Sequence, residues 1–271
     1  MTTRSYFTLS LSLVLLLFVG SCKKEKSTLS GENVTSNQTN EQINTASIFG
    51  DLKGDPKTAE DIIIITKSFY KKEKNYIIDY KYPYLDISSN PSLKKFNDFI
   101  SNNYLSTNVS VKNTLNETKL QCDLGYNSSE RHKRLINYKI YSHENIFSIL
   151  LYKANHYIDD NQSSYMFKAL NFDPKKAEFI NYNNIFKNGS EIDMLDAVNK
   201  TLTKYKKSEP QYEECWQLDL DTFQQYKNNF VINQNTVKFY FDDCVICPIY
   251  SGSYAVEIPR SKISNLFLQK D

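Results

Sequence analysis

The chain has 271 residues, with 33 Lys and Arg against 31 Asp and Glu and a formal net charge of +2. Lysines alternate with acids, as in Lys71-Lys72-Glu73-Lys74, so no basic stripe tracks a phosphate backbone and nucleic acid is excluded as a partner. A hydrophobic fraction of 40% and a charged fraction of 24% describe an ordinary folded protein able to bury a substantial core.

Arg4 precedes an apolar run from Phe7 to Val19, which is too short for a membrane-spanning helix and suits a signal peptide over residues 1–21. Val19-Gly20-Ser21-Cys22 resembles the lipobox of bacterial lipoproteins. The resemblance implies cleavage before Cys22 and acylation of its thiol, so that the membrane is a partner through a lipid anchor. Residues 22–58 are the anchor and a tether rich in Ser, Thr, Asn, Gln, Glu and Lys, with too few large apolar side chains to fold alone. Lys23-Lys24-Glu25-Lys26 is similar to the surface-export signal of Bacteroidota lipoproteins but lacks its second and third acids. Lys at position 23 rather than Asp argues against inner-membrane retention. The expected address is the outer membrane of a cell envelope, periplasmic or surface-exposed.

Folded structure is expected from near Asp61. Ile62–Ile65 and Tyr76–Leu85 are β-branched and aromatic runs that read as strands. Pro91 opens a helix with Leu93, Phe96, Phe99, Ile100 and Tyr104 on its apolar face. Thr107–Val111 and Gln121–Tyr126 are further strand candidates. Leu135–Tyr141, Asn145–Tyr157 and Tyr165–Phe172 alternate in the strand manner. Glu191–Tyr205 predicts a helix, with Ile192, Leu195, Val198, Leu202 and Tyr205 recurring every three or four residues. A second helix runs from Asp219 or Asp221 to about Asn229. Val231-Ile232 and Val237–Ile246 form a hairpin through Asn233–Asn235. Tyr254–Ile258 is a strand, and Ser261–Leu268 is a closing helix. Strands grouped around a few helices predict an α+β fold on antiparallel sheets.

With Cys22 assigned to lipid, Cys122, Cys215, Cys244 and Cys247 remain. An even number in an exported chain predicts disulfides, with three connectivities open. Cys244 and Cys247 lie three apart in a strand-like run, about 10 Å from each other if extended. They can bond each other only if a turn breaks the strand near Val245-Ile246; otherwise Cys122 and Cys215 are the candidate partners. Pro248 blocks the helix that a thioredoxin-like CxxC requires.

Three local patterns share a family resemblance. The first is Leu170-Asn171-Phe172-Asp173-Pro174 followed by Phe179–Phe186. The second is Phe239-Tyr240-Phe241-Asp242-Asp243, leading through Ile246-Cys247-Pro248 to Gly252. The third is Val256-Glu257-Ile258-Pro259. Together they resemble the paired domains of unknown function numbered 4163 and 3298. Such domains form the exported part of lysozyme-sensing anti-sigma factors of the RsiV type, and they precede the catalytic domain of some peptidoglycan deacetylases of the PdaC type. The resemblance spans about residues 61–268 and implies a 4163-like region over 59–178 and a 3298-like region over 179–271. It further implies a module used for recognition in the envelope, with chemistry elsewhere. Many members carry a Gly-Gly-Ala-His loop where this chain has Asp159-Asp160-Asn161-Gln162-Ser163.

Candidate chemistry is sparse. Tyr240-Phe241-Asp242-Asp243 has the look of a deacetylase Thr-Phe-Asp-Asp-Gly, but His132, His143 and His156 share no helix face that could hold a metal. Ser251-Gly252-Ser253 lacks a strand-turn-helix setting and reads as a turn rather than a nucleophile elbow. Asp159-Asp160-Asn161 falls short of a calcium loop. Trp216, beside Glu213-Glu214 and Cys215, belongs either to a binding surface or to the core beneath a disulfide. No catalytic residue, metal or cofactor is expected. The expected function is non-enzymatic recognition of a protein or cell-wall glycan ligand. The alternatives are a structural subunit of an outer-membrane assembly and an envelope hydrolase using Asp242, Asp243 or His156.

Overall fold

Alternation of β-branched and aromatic side chains along the first half of the chain builds a sheet whose two faces are both buried at its centre. The structure is a computed structural model and describes residues 62–72, 76–105, 132–143, 145–157, 163–252 and 254–269. Cys22, the signal peptide, the tether, Cys122, the strand candidates Thr107–Val111 and Gln121–Tyr126, and the acidic segment 158–162 lie outside the described residues.

The larger sheet has the order β1 (Ile64–Lys72), β2 (Tyr76–Leu85), β3 (His132–His143), β4 (Ile146–Tyr157), β5 (Ser163–Asp173) and β6 (Glu178–Ile180). All neighbours are antiparallel except β2 and β3, which run parallel. The fold is mixed α+β as expected, and the parallel pair departs from the all-antiparallel reading. A parallel pair needs a long crossover, and the connection between β2 and β3 carries a short helical segment. That segment starts as a 3₁₀ turn at Pro91–Leu93, continues as α1 (Lys94–Phe99) and ends in a π turn at Ile100–Tyr104.

The apolar face read for this helix packs as expected. Phe96 is fully buried against Phe147 and Phe172, with ring centroids 6.1 and 5.4 Å away. Ile78, Ile136, Ile149 and Leu151 complete that layer. The opposite face of β4 and β5 presents Leu150, Tyr152, Tyr165, Phe167 and Ala169 to Val231 and Tyr240 of a second sheet and to Tyr254 beside it. Period-two alternation thus divides β4 between two cores.

The second sheet is β7 (Phe230–Ile232), β8 (Thr236–Tyr240) and β9 (Ala255–Pro259), all antiparallel. The turn between β7 and β8 is an Asx turn: Asn233 Oδ1 accepts from the Asn235 and Thr236 amides at 2.9 and 2.7 Å. Helix α2 (Glu191–Ser208) covers the far side through Met194, Val198 and Leu202, beside α3 (Leu220–Tyr226). Each such buried side chain contributes about 1.5–3 kcal/mol. Asp219 caps α3 by accepting from the Thr222 amide at 2.7 Å.

Four expectations are corrected. The first strand extends to Lys72 because its backbone ladders onto β2 from Ile64↔Leu85 to Lys72↔Ile77, whatever its exposed side chains are. Ile192 is 66% exposed and Met194 takes its place in the core. The strand read as Val237–Ile246 stops at Tyr240, since Asp242–Cys247 turns and Cys244 has φ of 60°. Ser261–Leu268 forms two 3₁₀ turns instead of a helix. Lys187 N–H bonds Leu266 O and Leu268 N–H bonds Ile185 O, both at 2.9 Å, and these non-local bonds hold the chain end extended.

Candidate binding surface

Beyond its short pairing with β6, strand β5 has an edge with no strand beside it among the described residues, and outward-facing amides there need acceptors. Side chains from the second sheet supply them. Asp243 Oδ2 accepts from Tyr165 N–H at 2.5 Å, Asp242 Oδ1 from Phe167 N–H at 2.7 Å, and Asn229 Oδ1 from Ala169 N–H at 2.6 Å. Asn229 also donates to Phe167 O and Tyr240 O, at 3.0 and 2.8 Å. Two residues further on, Asn171 accepts from Ser148 Oγ and donates to Phe230 O at 2.9 Å, while Ile232 N–H donates to Ser148 Oγ at 3.3 Å. A row of acids and amides thus stands in for a missing strand and fastens the two sheets.

These contacts account for the motif residues that carry the family resemblance. Asn171 bridges the sheets, Phe172 is fully buried under α1, and Asp173 closes the next turn by accepting from the Lys175 and Lys176 amides. Asp242 and Asp243 are likewise occupied with backbone. Burial pushes the Asp242 carboxyl upward, against the pull of the Phe167 amide and the Tyr226 hydroxyl, which donates to Asp242 Oδ2 at 3.1 Å. Burial and the neighbouring Asp242 charge in turn push Tyr226 upward. No group of three or more His, Cys, Asp or Glu that could hold a metal occurs among the described residues.

His156 is a half-buried residue of β4, edge-on to the Tyr165 ring at 6.4 Å. Burial, and then Lys133, hold its pKa below the usual 6.5. The unfolded chain therefore takes up this proton more readily, and stability falls as pH drops from about 6.5 to the folded value. An NMR titration of the His156 ring is expected to give a midpoint below 6.5; a midpoint above it would contradict this account. Ser251-Gly252 is a turn, with Gly252 at φ of 64° closing the 3₁₀ turn Ile249–Ser251.

Cys215 is bonded to Cys247, 32 residues away in sequence, and both are buried. Cys244 is disulfide-bonded as well, so the CxxC cysteines do not bond each other although the required turn is present. Trp216, next to this bridge, is 42% exposed and so is not the core residue that one reading made it. It is nonetheless fixed. Its amide donates to Ile246 O at 2.9 Å and its indole Nε1–H to Val245 O at 2.8 Å. Tyr250 is 67% exposed, and its hydroxyl donates to the Glu214 carboxylate. Residues 213–216 and 245–250 therefore form one braced surface with two held aromatic rings and the exposed acids Glu213 and Glu214. Lone Trp was the available sequence signal; what determines its exposure is the pairing of two distant loops.

Residues 183–261 match the model of a family described as a protein of unknown function, DUF3298. This span holds Cys215, Trp216, Asn229, Asp242, Asp243 and Tyr250. The fold is similar to a DUF3298-family protein from Bacteroides fragilis, with 12% identity and a TM-score of 0.53 over 77% of this chain and 94% of that one. It is also similar to a DUF3298-family protein from Pseudomonas aeruginosa, with 9% identity and a TM-score of 0.54 over 76% of this chain and 94% of that one. At such identities the likeness is one of fold. No curated protein matches the sequence significantly.

Proposed function

We propose that this chain is a lipid-anchored envelope protein of the RsiV-like, two-region kind, which recognises a protein partner through the Trp216–Tyr250 surface and performs no chemistry of its own. The carrying observation is a Trp that is exposed yet held by two hydrogen bonds and a disulfide. Interfaces draw most of their affinity from a few Trp, Tyr and Arg side chains, and pre-ordered rings lose little entropy on binding. Glu213 and Glu214 beside the rings favour a basic partner. The candidate catalytic acids Asp242 and Asp243 are engaged with the backbone of β5, which supports the non-enzymatic reading. Acylation at Cys22 and display from the outer membrane on the 22–58 tether complete the proposal.

Pull-down of basic, lysozyme-like proteins by the full chain tests it. Trp216→Ala with Tyr250→Ala is expected to weaken capture at least tenfold while lowering the thermal midpoint by no more than about 6 °C, the cost of two surface hydrogen bonds. Undiminished capture by the double variant would remove the surface from the proposal, and capture of peptidoglycan fragments in place of protein would replace the partner class. Labelled palmitate incorporated into wild type and absent from Cys22→Ser tests the anchor.

A further inference from the structure

A cleft of about 430 Å³ lies beside the β5 edge, between the end of the α1 segment and α3. That volume suits a ligand of one or two rings. Its lining includes the aromatic residues Phe99 and Tyr226 and the amide side chains of Asn103, Gln225 and Asn229. Two ammonium groups, Lys153 and Lys168, stand against a single carboxyl, Asp242, whose oxygens already accept from the Phe167 amide and the Tyr226 hydroxyl. The cleft therefore favours a negative guest. Lys153 is held in place: its Nζ donates to Tyr104 O at 3.0 Å and lies 4.4 Å from the Tyr104 ring centroid.

Tyr104 supplies the second observation. The residue is 8% exposed and lines the cleft, and its hydroxyl has no hydrogen-bond partner among the described residues. An unsatisfied buried hydroxyl costs about 1–3 kcal/mol and is retained where a ligand or water completes it. Here it belongs to a cleft that also holds Lys153, Lys168, Asp242, three side-chain amides and the aromatic residues Phe99 and Tyr226. Ring faces stack on the C–H-rich faces of pyranoses, amides bond their hydroxyls, and the ammonium groups pair with a carboxylate.

We infer that this cleft is a binding site for a carboxylated pyranose, with Lys168 pairing the carboxylate and the Tyr104 hydroxyl bonding the sugar. The site is separate from the Trp216–Tyr250 surface and does not rest on it. The chemistry is shared by lactyl-substituted amino sugars of cell walls and by uronic acids of exopolysaccharides.

Isothermal titration of the purified full chain with N-acetylmuramic acid, glucuronic acid and neutral N-acetylglucosamine tests the inference. At least one acid is expected to bind saturably, with the neutral sugar at least tenfold weaker; which acid binds identifies the source. Tyr104→Phe and Lys168→Gln are each expected to weaken acid binding at least tenfold, while Lys200→Gln, an exposed position of α2 away from the cleft, leaves it unchanged. Lys168 is exposed, so its variant reads out binding even if Tyr104→Phe misfolds. The inference fails if neither acid binds, if the neutral sugar binds equally well, or if Lys168→Gln retains wild-type affinity.

Discussion

Asn229→Ala is expected to destabilise the protein by about 3–5 kcal/mol. The Asn229 side chain satisfies three buried backbone groups at once: Ala169 N–H at 2.6 Å, Phe167 O at 3.0 Å and Tyr240 O at 2.8 Å. Truncation strips partners from all three where water has little access, since Asn229 is 7% exposed. Each orphaned group costs about 1–3 kcal/mol, with some relief from local relaxation. Asn229→Asp separates the contributions. It keeps an acceptor for Ala169 N–H, loses both donors and sets a charge against two carbonyl oxygens, so it is expected to be no better than alanine. Equilibrium unfolding in denaturant reports both variants. A loss below 1 kcal/mol for Asn229→Ala would show that the side-chain row along β5 does not hold the sheets together.

That row explains why the motif residues drew attention while their role stayed hidden in the sequence. Asp242-Asp243 has the look of an enzyme fragment because adjacent acids suit both metal binding and amide capping. Which one applies depends on Tyr165 and Phe167, more than 70 positions away. Where structure follows from neighbours three or four residues apart, the reading held. The apolar period of Glu191–Tyr205 produced α2, extended to Ser208, and alternation located β3, β4 and β5 to within three residues of their ends.

Ser261–Leu268 has the helical spacing of Ile263, Leu266 and Phe267, yet Phe267 bridges to Phe186 and the chain is drawn out. Local periodicity cannot register a competing partner 81 residues upstream. Similarly, Val237–Ile246 is mostly β-branched and aromatic, but the segment after Tyr240 turns so that Asp242 and Asp243 meet β5 and Cys247 meets Cys215. Trp216 was legible as one of two alternatives, surface or core. The choice between them lay in the carbonyls of Val245 and Ile246, on a loop that composition alone reads as strand.

Cys215→Ala with Cys247→Ala is expected to cost about 3–4 kcal/mol, from the chain entropy released when a closed loop of this length is opened. The bridge joins positions separated by 32 residues, and that loop contains α3, β7 and β8. Alanine is the appropriate replacement because both cysteines are buried, at 1% and 2% exposure. Serine would add two buried hydroxyls and inflate the loss. In a body of this size the change corresponds to a fall in thermal midpoint of about 6–15 °C. A second consequence follows at the surface. The Trp216 amide and indole bond the carbonyls of Ile246 and Val245, so the bridge holds those carbonyls in register with the ring. Without it the loops separate more readily, and Trp216 emission is expected to shift to the red at temperatures well below global unfolding. Wild-type emission up to the main transition would mean that the two hydrogen bonds alone orient the ring, leaving the bridge with stability as its only role.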